Sequence, residues 1–479
     1  MEINLTPLLP AVQVILTALT VLLLDLFLRE EEKGFLPWIS VIGLSIASGM
    51  VFLLWGSQEG AFQNTLRLDN FGLFFTQLFL GVAVITILSS VHYLKETKIR
   101  AGEYYALILF STFGMILMAT ANDLILFFLG LETMSIAVYI LTGMWRERSQ
   151  ASEAAMKYFI TGAFATGFLL YGIALIFGAT GSTNLARIST SLTQSVNQWP
   201  HLLLAGVFLL LIGLAFKVAA VPFHFWVPDV YDGAPTPITA FMAVSVKAAA
   251  FAGWARIFLH QLAPLGDEWA RPLWALAILT MTVGNLLAIA QSSVKRMLAY
   301  SSIAHAGYLL IGVLAGGEVG GPALLFYLLA YAPMTLGALA VVMALKEGER
   351  DNEAYSHFAG VGLKRPFLGM AMSIFMLSLA GFPPLAGFTG KFYLFRSAIV
   401  AGYTELAIIG ALNSLLSVIY YLRVIVMMYM EEGGVEGKSF AMAPYLYAVI
   451  AITALATVYL GLLPAAALDL SRLSFLSLR

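Results

Sequence analysis

The sequence predicts an all-α polytopic membrane protein with about fourteen transmembrane helices. Of the 479 residues, 60% are hydrophobic and only 11% are charged. A water-soluble fold of this composition would have too few polar side chains to cover its surface. Apolar stretches of roughly 20 residues recur along the chain, each long enough to cross the hydrocarbon of a bilayer. They are expected to be helices, because lipid satisfies no backbone hydrogen bonds.

The composition also excludes several classes of function. The chain contains no cysteine, so iron–sulfur ligation and thiol chemistry are not expected within it. It shows neither a glycine-rich dinucleotide motif nor an ATP-binding loop. The net charge of -1 gives no sign of nucleic-acid binding. We therefore expect no cofactor in this chain, and the energy for any transport has to come from elsewhere.

Apolar runs between charged or proline- and glycine-rich breaks divide the chain into fourteen spans. The first run, residues 5–28, is too long for a secretory signal and lacks a basic leading segment, so we interpret it as a mature span. The spans are predicted to start near residues 5, 35, 71, 104, 123, 154, 202, 236, 272, 297, 321, 366, 404 and 441.

The distribution of basic residues predicts the orientation of these spans. The loops after the odd-numbered spans contain 16 of the 26 lysines and arginines, and the opposite loops and C-terminal tail contain seven. Both termini are therefore expected outside the cytoplasm. We expect a multi-pass protein of the inner (plasma) membrane, and a thylakoid or other energy-coupling membrane fits the same pattern. Three basic residues have no loop to occupy: Lys217, Lys247 and Lys391.

Spans 7 and 12 are predicted to be broken helices. The run 202–231 carries two prolines late in it, and the run 367–395 is interrupted by two prolines and three glycines. Because the two spans lie five apart, they run in opposite directions, which is typical of an inverted repeat. The predicted units are an N-terminal three-helix segment (1–103), two inverted five-helix repeats of spans 4–8 (104–260) and spans 9–13 (261–430), and a C-terminal helix (431–479).

Several ionisable residues fall deep inside the predicted spans. Glu132, Lys247 and His305 lie nine or ten residues along spans 5, 8 and 10, which places each roughly 14–15 Å from a membrane face. Lys217 lies just before the predicted break in span 7, where freed backbone carbonyls are expected to solvate it. The burial of Lys391 follows only from its apolar flanks.

A charge at the centre of a membrane helix costs at least about 2.5–3.5 kcal/mol, so four retained charges indicate a function. The pairing of Glu132 with Lys217 could also serve only to hold helices together. His305, close to Ser302 in the sequence, could be a simple helix contact. His224 could be either a relay group or an interfacial anchor.

These residue types suit proton transfer. Removal from water disfavours the charged form of lysine, and a nearby carboxylate favours it. A movable pair of Glu132 and Lys217 is therefore predicted to act as a switch, which releases a proton toward Lys247 through water or His305. Arginine would not serve, because it stays protonated.

Other charged residues are expected to have interfacial or solvated positions. Asp25, near the end of span 1, and Glu153 with Lys157, at the start of span 6, are expected to reach toward water. Asp229 and Asp232 are expected in a solvated loop between spans 7 and 8.

Three segments carry a resemblance to a known family: PFHFWVPDVYDGAPTPITAF (222–241), SSVKRMLAYSSIAHAGYLL (292–310) and GFPPLAGFTGKFYLF (381–395). Together they resemble subunit N of respiratory complex I, in the family of antiporter-like subunits, over essentially the whole chain. In that family the key residues are a glutamate in span 5, lysines in spans 7 and 8, and a lysine or glutamate in span 12. The resemblance assigns these roles to Glu132, Lys217, Lys247 and Lys391.

The resemblance implies a proton-pumping subunit of the membrane arm, coupled to quinone reduction elsewhere. NADH, flavin, iron–sulfur clusters and quinone would belong to partner subunits, and the partners would include antiporter-like subunit M, small membrane subunits such as K, and lipids. A long helix after span 14, typical of subunit L, is not evident, and Lys391 stands where subunit M typically has glutamate. A subunit of a multisubunit sodium/proton antiporter, a subunit of an energy-converting hydrogenase and a purely scaffolding subunit are the alternatives.

Overall fold

The computed structural model describes residues 4–29, 31–99, 101–193, 200–346, 353–433 and 444–478. Most of these residues are helical, and thirteen of the helices among them are long and apolar enough to span a membrane. A further span, number 12, consists of two shorter helices, Pro366–Ala380 and Ala386–Val400. The predicted all-α polytopic membrane fold is confirmed.

The spans keep the numbers given above. Spans 1 to 7 comprise Thr6–Phe27, Glu32–Leu53, Asn70–Thr97, Ala101–Thr120, Leu124–Thr142, Ser149–Thr180 and the pair Pro200–Lys217 with Trp226–Gly233. Spans 8 to 14 comprise Thr236–Gln261, Ala263–Ile289, Val294–Ala315, Gly317–Ala344, the pair Pro366–Ala380 with Ala386–Val400, Thr404–Met430 and Pro444–Leu462. The shorter elements are the helices Leu185–Thr193, Tyr355–Phe358, Val361–Lys364 and Ala465–Leu476 and the strands Glu59–Ala61 and Leu66–Leu68.

The largest difference from the predicted starts is at span 9, which begins at Ala263 rather than near residue 272. Its α-helical part starts at Gly266, and Asp267 and Glu268 lie in the first turn of that helix, where acidic side chains are favoured by the helix dipole. Pro272 does not end the helix. The predicted start of span 14 at residue 441 lies outside the described residues, as do four of the counted basic residues: Arg100, Arg350, Lys438 and Arg479.

A short hairpin marks one side of the bundle, which we call the hairpin side. Strand Glu59–Ala61 pairs antiparallel with Leu66–Leu68. Leu66 also bridges Ala121, and Asp123 bridges Asn184. The connections after spans 2, 4 and 6 therefore meet on the same side, as alternate crossings of a membrane require. The last helix, Ala465–Leu476, ends on the same side. Ser477 follows it, and its Oγ accepts a hydrogen bond from the Phe71 amide at 2.9 Å.

Both predicted helix breaks are present. The first helix of span 7 ends at Lys217, and the chain turns through Pro222 before the second helix starts at Trp226. In span 12, Gly381 ends the first helix with a φ of 94°, a left-handed conformation that favours glycine. Pro228 does not break span 7, because it lies in the first turn of the second helix, where its missing N–H has no intrahelical partner to lose.

Burial separates the central spans from the peripheral ones. We compare the fraction of buried residues in the apolar 18-residue segment of each span. This fraction is 100% in span 8 and 94% in span 10, but 39% in spans 1, 2 and 14 and 33% in span 13. The peripheral spans expose large apolar side chains such as Leu53 and Leu415. These faces are suited to lipid contact, and spans 8, 10 and 11 form the centre of the bundle.

Span 8 departs from regular α-helix on both sides of Lys247. Met242–Val246 and Trp254–Gln261 are π-helical, and they flank the α-helical segment Lys247–Gly253. Segments of this type are rare and occur often at functional sites. The residue pattern of span 8 contains no sign of them, because hydrophobic periodicity does not distinguish one wide turn from a regular one.

Arg256 is one of the seven basic residues counted above in the opposite loops and tail, and that placement is wrong. It lies within span 8, 2% exposed, and pairs with the fully buried carboxylate of Asp69, the N-cap of span 3. Its NH1 and NH2 groups each donate to one carboxylate oxygen at 2.9 Å, and its Nε donates to the Ala119 carbonyl at 3.0 Å. This bidentate pair ties span 8 to spans 3 and 4.

Removal of one member of this pair is expected to leave a buried charge without its partner. We predict that Arg256→Ala destabilises the packing of span 8 by about 3–5 kcal/mol, measured as a lower thermal midpoint and less assembled complex on native gels. The matched control is Arg67→Ala, because Arg67 Nε lies 3.6 Å from Asp69 and its side chain is a quarter exposed. Equal losses from both variants would contradict a dominant role for Arg256.

Candidate functional site: buried lysines and a histidine

Lys217 lies at the end of the first helix of span 7 and is 3% exposed. Its Nζ donates to Ser135 Oγ at 2.7 Å and to the Tyr139 hydroxyl at 3.3 Å. The expectation that freed backbone carbonyls would solvate this lysine is wrong. The chain turns back on itself after the helix, so the amides of Ala219 and Ala220 take the carbonyls of the last turn.

Glu132 lies on the same face of span 5 as the two partners of Lys217. Ser135 and Tyr139 follow it by three and seven residues, about one and two helical turns. The Oε1 atom of Glu132 is buried and accepts no hydrogen bond within the described ranges. No ion pair within 4.0 Å joins Glu132 to Lys217 in the described part of the chain. In the structure the lysine therefore bonds hydroxyls about one and two turns along span 5 from Glu132, rather than its carboxylate.

Lys247 lies between the two π-helical segments of span 8 and is 3% exposed. Its Nζ donates to both the backbone carbonyl and the hydroxyl of Ser302 in span 10. The ring of Tyr331 in span 11 lies 5.3 Å from the same nitrogen. A carbonyl, a hydroxyl and an aromatic face therefore surround this ammonium group, and none of these partners carries a formal charge.

His305 is fully enclosed by tyrosines. Its Nδ1 is 2.6 Å from the Tyr327 hydroxyl and its Nε2 is 3.0 Å from the Tyr421 hydroxyl. Tyr421 also shares a hydrogen bond with Ser301. Both ring nitrogens therefore have partners that can donate or accept a hydrogen bond.

The position of His305 corrects its expected place between Lys217 and Lys247. The ring of Tyr331 is 5.1 Å from the His305 ring and also faces Lys247. The ring of Tyr308 is 5.6 Å from His305 and 4.9 Å from Lys391 Nζ. His305 thus lies between Lys247 and Lys391.

Lys391 lies in the second helix of span 12 and turns back to the end of the first. Its Nζ donates to the carbonyls of Leu379 and Ala380 at 2.9 and 3.0 Å, and to Ser414 Oγ at 2.9 Å. Carbonyls at a helix C-terminus lack intrahelical donors and form the negative end of the helix dipole. The break in span 12 therefore provides the solvation that the sequence analysis expected for Lys217.

His224 lies in the break of span 7, where it is 5% exposed. Its ring packs 4.6 Å from that of Phe225, and its Nδ1 has no hydrogen-bond partner among the described residues. Within the described residues, this ring contact does not involve any of the three buried lysines.

The acidic residues after the span 7 break are not solvated loop residues, as the sequence analysis expected. Asp229 and Asp232 lie in the helix Trp226–Gly233. Asp229 pairs with Lys157 of span 6 and with Arg296 of span 10, both at 2.8 Å. Arg296 is also 3.5 Å from Asp232. These ion pairs fix the second half of span 7 against spans 6 and 10.

The other expected interfacial groups are also paired. Asp25 lies 3.2 Å from Lys33 across the connection after span 1. Glu153 lies 2.7 Å from Lys157, one turn away on span 6, and both side chains are exposed. The exposure of Glu153 and Lys157 agrees with the expectation that these groups reach toward water. Asp25 does not, because its side chain is only 13% exposed and lies against Lys33.

Span 13 carries a polar face that the sequence analysis missed. Asn413 contacts Asn285 of span 9, and Tyr420 donates to Asn285 Oδ1 at 2.7 Å. The Asn285 amide in turn donates to the Tyr308 hydroxyl at 3.2 Å. The sequence feature that could have predicted this face is the helical spacing of polar residues within an apolar span: Asn413, Ser414, Ser417, Tyr420 and Tyr421.

The chain matches the sequence model of one family, described as NADH:quinone oxidoreductase/Mrp antiporter, transmembrane, over residues 121–417. It is 47% identical to NADH-quinone oxidoreductase subunit N of Trichlorobacter lovleyi over 98% of this chain and 96% of that protein. Among solved structures, it superposes on a chain of respiratory complex I from Thermus thermophilus with bound aureothin, with a TM-score of 0.82 and 36% identity, over 97% of this chain and 99% of that one.

A chain of the Mrp complex from Dietzia has the same fold, with a TM-score of 0.85 over 99% of this chain and 98% of that one, at 22% identity. That likeness concerns the fold alone. The matched family covers more than half of the chain, and the subunit N relative matches it nearly end to end. The chain therefore belongs to the NADH:quinone oxidoreductase/Mrp antiporter family of membrane subunits, as a member of its subunit N group.

Proposed function

We propose that this chain translocates protons in the membrane arm of an NADH-quinone oxidoreductase, with Glu132, Lys217, Lys247, His305 and Lys391 as its relay residues. One observation carries the proposal: three lysines lie buried at the centre of the bundle, each held by hydroxyls or carbonyls rather than by a carboxylate. A purely structural charge would be expected to have a permanent counter-ion.

The first step concerns Glu132 and Lys217. When Lys217 bonds Ser135 and Tyr139, as it does here, the carboxylate lies about one turn away and favours the ammonium form less. A change of rotamer that brings Lys217 to Glu132 would make the lysine retain its proton. Movement between these two positions is the switch, and span 5 supplies both sets of partners.

The second step runs from Lys247 through His305 to Lys391. Tyr331 faces both Lys247 and His305, and Tyr308 faces both His305 and Lys391. The tyrosine hydroxyls bound to His305 can accept a proton on one side as they donate on the other. Among the described residues no hydrogen bond joins Lys217 to Lys247, and none joins His305 with its two hydroxyl partners to Lys247 or to Lys391. The proposal therefore requires ordered water at each of these gaps.

The chain would draw energy from reactions in its partners. We propose that NADH, flavin, iron–sulfur clusters and quinone belong to other subunits, and that subunit M and small subunits such as K are neighbours. The absence of cysteine from this chain is consistent with that division.

We also propose the inner (plasma) membrane as its location, with both termini on the non-cytoplasmic side, from the bias of basic residues. His224 is proposed as an additional relay group at the span 7 break.

We propose that spans 4–8 and 9–13 are the two inverted repeats, within residues 104–260 and 261–430. Two matching backbone pairings support this. Near the start of span 5, residues 122 and 124 bond residues 185 and 183, and near the start of span 10, residues 292 and 294 bond residues 355 and 353. Each residue of the second pairing lies 170 positions after its counterpart. The segments 1–103 and 431–479 are proposed as additions to this core.

The glycine contacts support the same repeat. A Cβ on Gly114 would lie 2.5 Å from the amide nitrogen of Met134, and a Cβ on Gly284 would lie 2.7 Å from that of Ala304. These two contacts are again 170 positions apart. Close approach at equivalent glycines therefore packs span 4 on span 5 and span 9 on span 10.

Replacement of Lys217 tests the relay directly. We predict that Lys217→Ala assembles but loses most proton translocation, and that Lys217→Arg is also impaired because arginine stays protonated. The measurement is proton uptake per NADH oxidised in proteoliposomes. Lys95→Ala is the control, since Lys95 is exposed at the end of span 3. Pumping at normal stoichiometry by Lys217→Ala would refute the relay.

Removal of the two hydroxyl partners tests the switch. We expect the double variant Ser135→Ala with Tyr139→Phe to leave Lys217 paired with Glu132, and to slow translocation by about tenfold or more, because hydrogen bonds to charged groups contribute about 1.5–3 kcal/mol each. Thr133→Ala is the matched control, since that hydroxyl donates to the Leu129 carbonyl of its own helix and bonds no other group among the described residues. A double variant as fast as this control would exclude the proposed switch.

Cysteine labelling tests the orientation. Because the natural chain lacks cysteine, any label on this subunit comes from the introduced cysteine and can be measured on its gel band. We predict that an impermeant maleimide labels Asn4→Cys in right-side-out vesicles and Glu147→Cys only in inverted ones. Both side chains are exposed and lie on opposite sides of the bundle. The reverse pattern would place both termini in the cytoplasm.

A further inference from the structure

A groove of about 560 Å³ opens from the side of the bundle between spans 2, 3, 11 and 14. We call it the lateral groove. Its floor includes the buried side chains of Phe74, Leu78 and Leu336. Its rim includes Phe52 and Ile452, which are 67% and 56% exposed. The groove is therefore concave and open toward the surface that faces lipid.

Small residues create the space. Gly81, Ala332 and Ala456 line the groove from three different spans. A Cβ added to Gly81 would meet no atom within 4 Å. Pro333, also in the lining, cannot donate to the Leu329 carbonyl, so this turn of span 11 lacks one backbone hydrogen bond. The spans therefore leave a gap here that larger side chains would close.

The chemistry of the lining favours an apolar occupant. Its polar side chains within the described residues are Gln77, Thr453 and the indole of Trp55. Gln77 is hydrogen-bonded to Ser48 at 2.9 and 3.0 Å, and Thr453 donates to the Val449 carbonyl at 2.7 Å. Gln77 and Thr453 are therefore already satisfied within the protein, and the Trp55 indole lies at one end of the groove. Little remains to orient a charged or polar ligand, such as the ring of a quinone.

The groove has the depth of one membrane leaflet. Span 3 lines it from Phe74 to Ile85, eleven residues or roughly 16 Å of helix. That is about half of the roughly 30 Å hydrocarbon thickness of a bilayer. Trp55 lines it where span 2 ends on the hairpin side, and tryptophan is enriched at membrane interfaces. The groove thus runs from the hairpin-side interface toward the middle of the membrane.

We propose that the lateral groove binds one acyl chain of a phospholipid from the hairpin-side leaflet, and retains it when bulk lipid is removed. An empty apolar groove would leave its lining atoms without dispersion partners. The volume lies within the range of about 300–1,000 Å³ typical of small-molecule sites. Acyl chains are also the medium in contact with its open side. The inference concerns a lipid site and is independent of the proton relay.

The test uses the whole complex, reconstituted with a phospholipid that carries a diazirine in one acyl chain. After extensive detergent washing the sample is irradiated, and the adducts are mapped by mass spectrometry. We expect adducts on span 3 between residues 74 and 85 and on span 14 between residues 452 and 460. Gly81→Leu should reduce their yield at least fivefold, because the leucine side chain would fill the groove.

The matched control is Gly167→Leu in span 6. Gly167 is exposed, and a Cβ there would likewise meet no atom within 4 Å, so the same substitution adds bulk outside the groove. This variant should leave the adducts unchanged. Three outcomes would each overturn the proposal: groove labelling that falls with more washing before irradiation as fast as labelling of span 6, an unchanged yield in Gly81→Leu, or adducts on a partner subunit in place of the groove residues.

Discussion

An ammonium group at the centre of a lipid-surrounded bundle must be solvated by the protein, and this constraint explains the arrangement of the central spans. Each buried lysine has several close oxygens. Ser135 and Tyr139 supply them to Lys217, Ser302 supplies them to Lys247, and the end of a broken helix with Ser414 supplies them to Lys391. Spans 8, 10 and 11, which carry Lys247, His305 and the tyrosines that contact them, are the most buried.

The two broken helices meet this constraint in different ways. In span 12 the break leaves the carbonyls of Leu379 and Ala380 directed at Lys391. In span 7 the chain turns back and its own amides take the equivalent carbonyls, so Lys217 relies on span 5 instead. Lys217 is thus held by side-chain hydroxyls, as the proposed exchange of partners along span 5 requires, whereas Lys391 is held mainly by backbone.

The partners of the proposed transport groups differ from those of the structural charges. Asp69 with Arg256, and Asp229 with Lys157 and Arg296, are pairs of opposite charge that fix helices together. The three central lysines instead have hydroxyl and carbonyl partners. A hydroxyl can accept from an ammonium group and donate to a neutral amine. Such partners tolerate both protonation states, while a counter-ion favours the charged one.

The sequence by itself determined the membrane fold, the two helix breaks and the burial of Lys217, Lys247, His305 and Lys391, because hydrophobic length, proline and apolar flanks are local properties. It misplaced Arg256 and Asp229, since a charge near a span end looks the same whether it meets water or a partner on a distant helix. Only the tertiary structure decided which groups meet. The place of His305 between two lysines, and the carbonyls at Lys391, depend on how helices far apart in the chain pack.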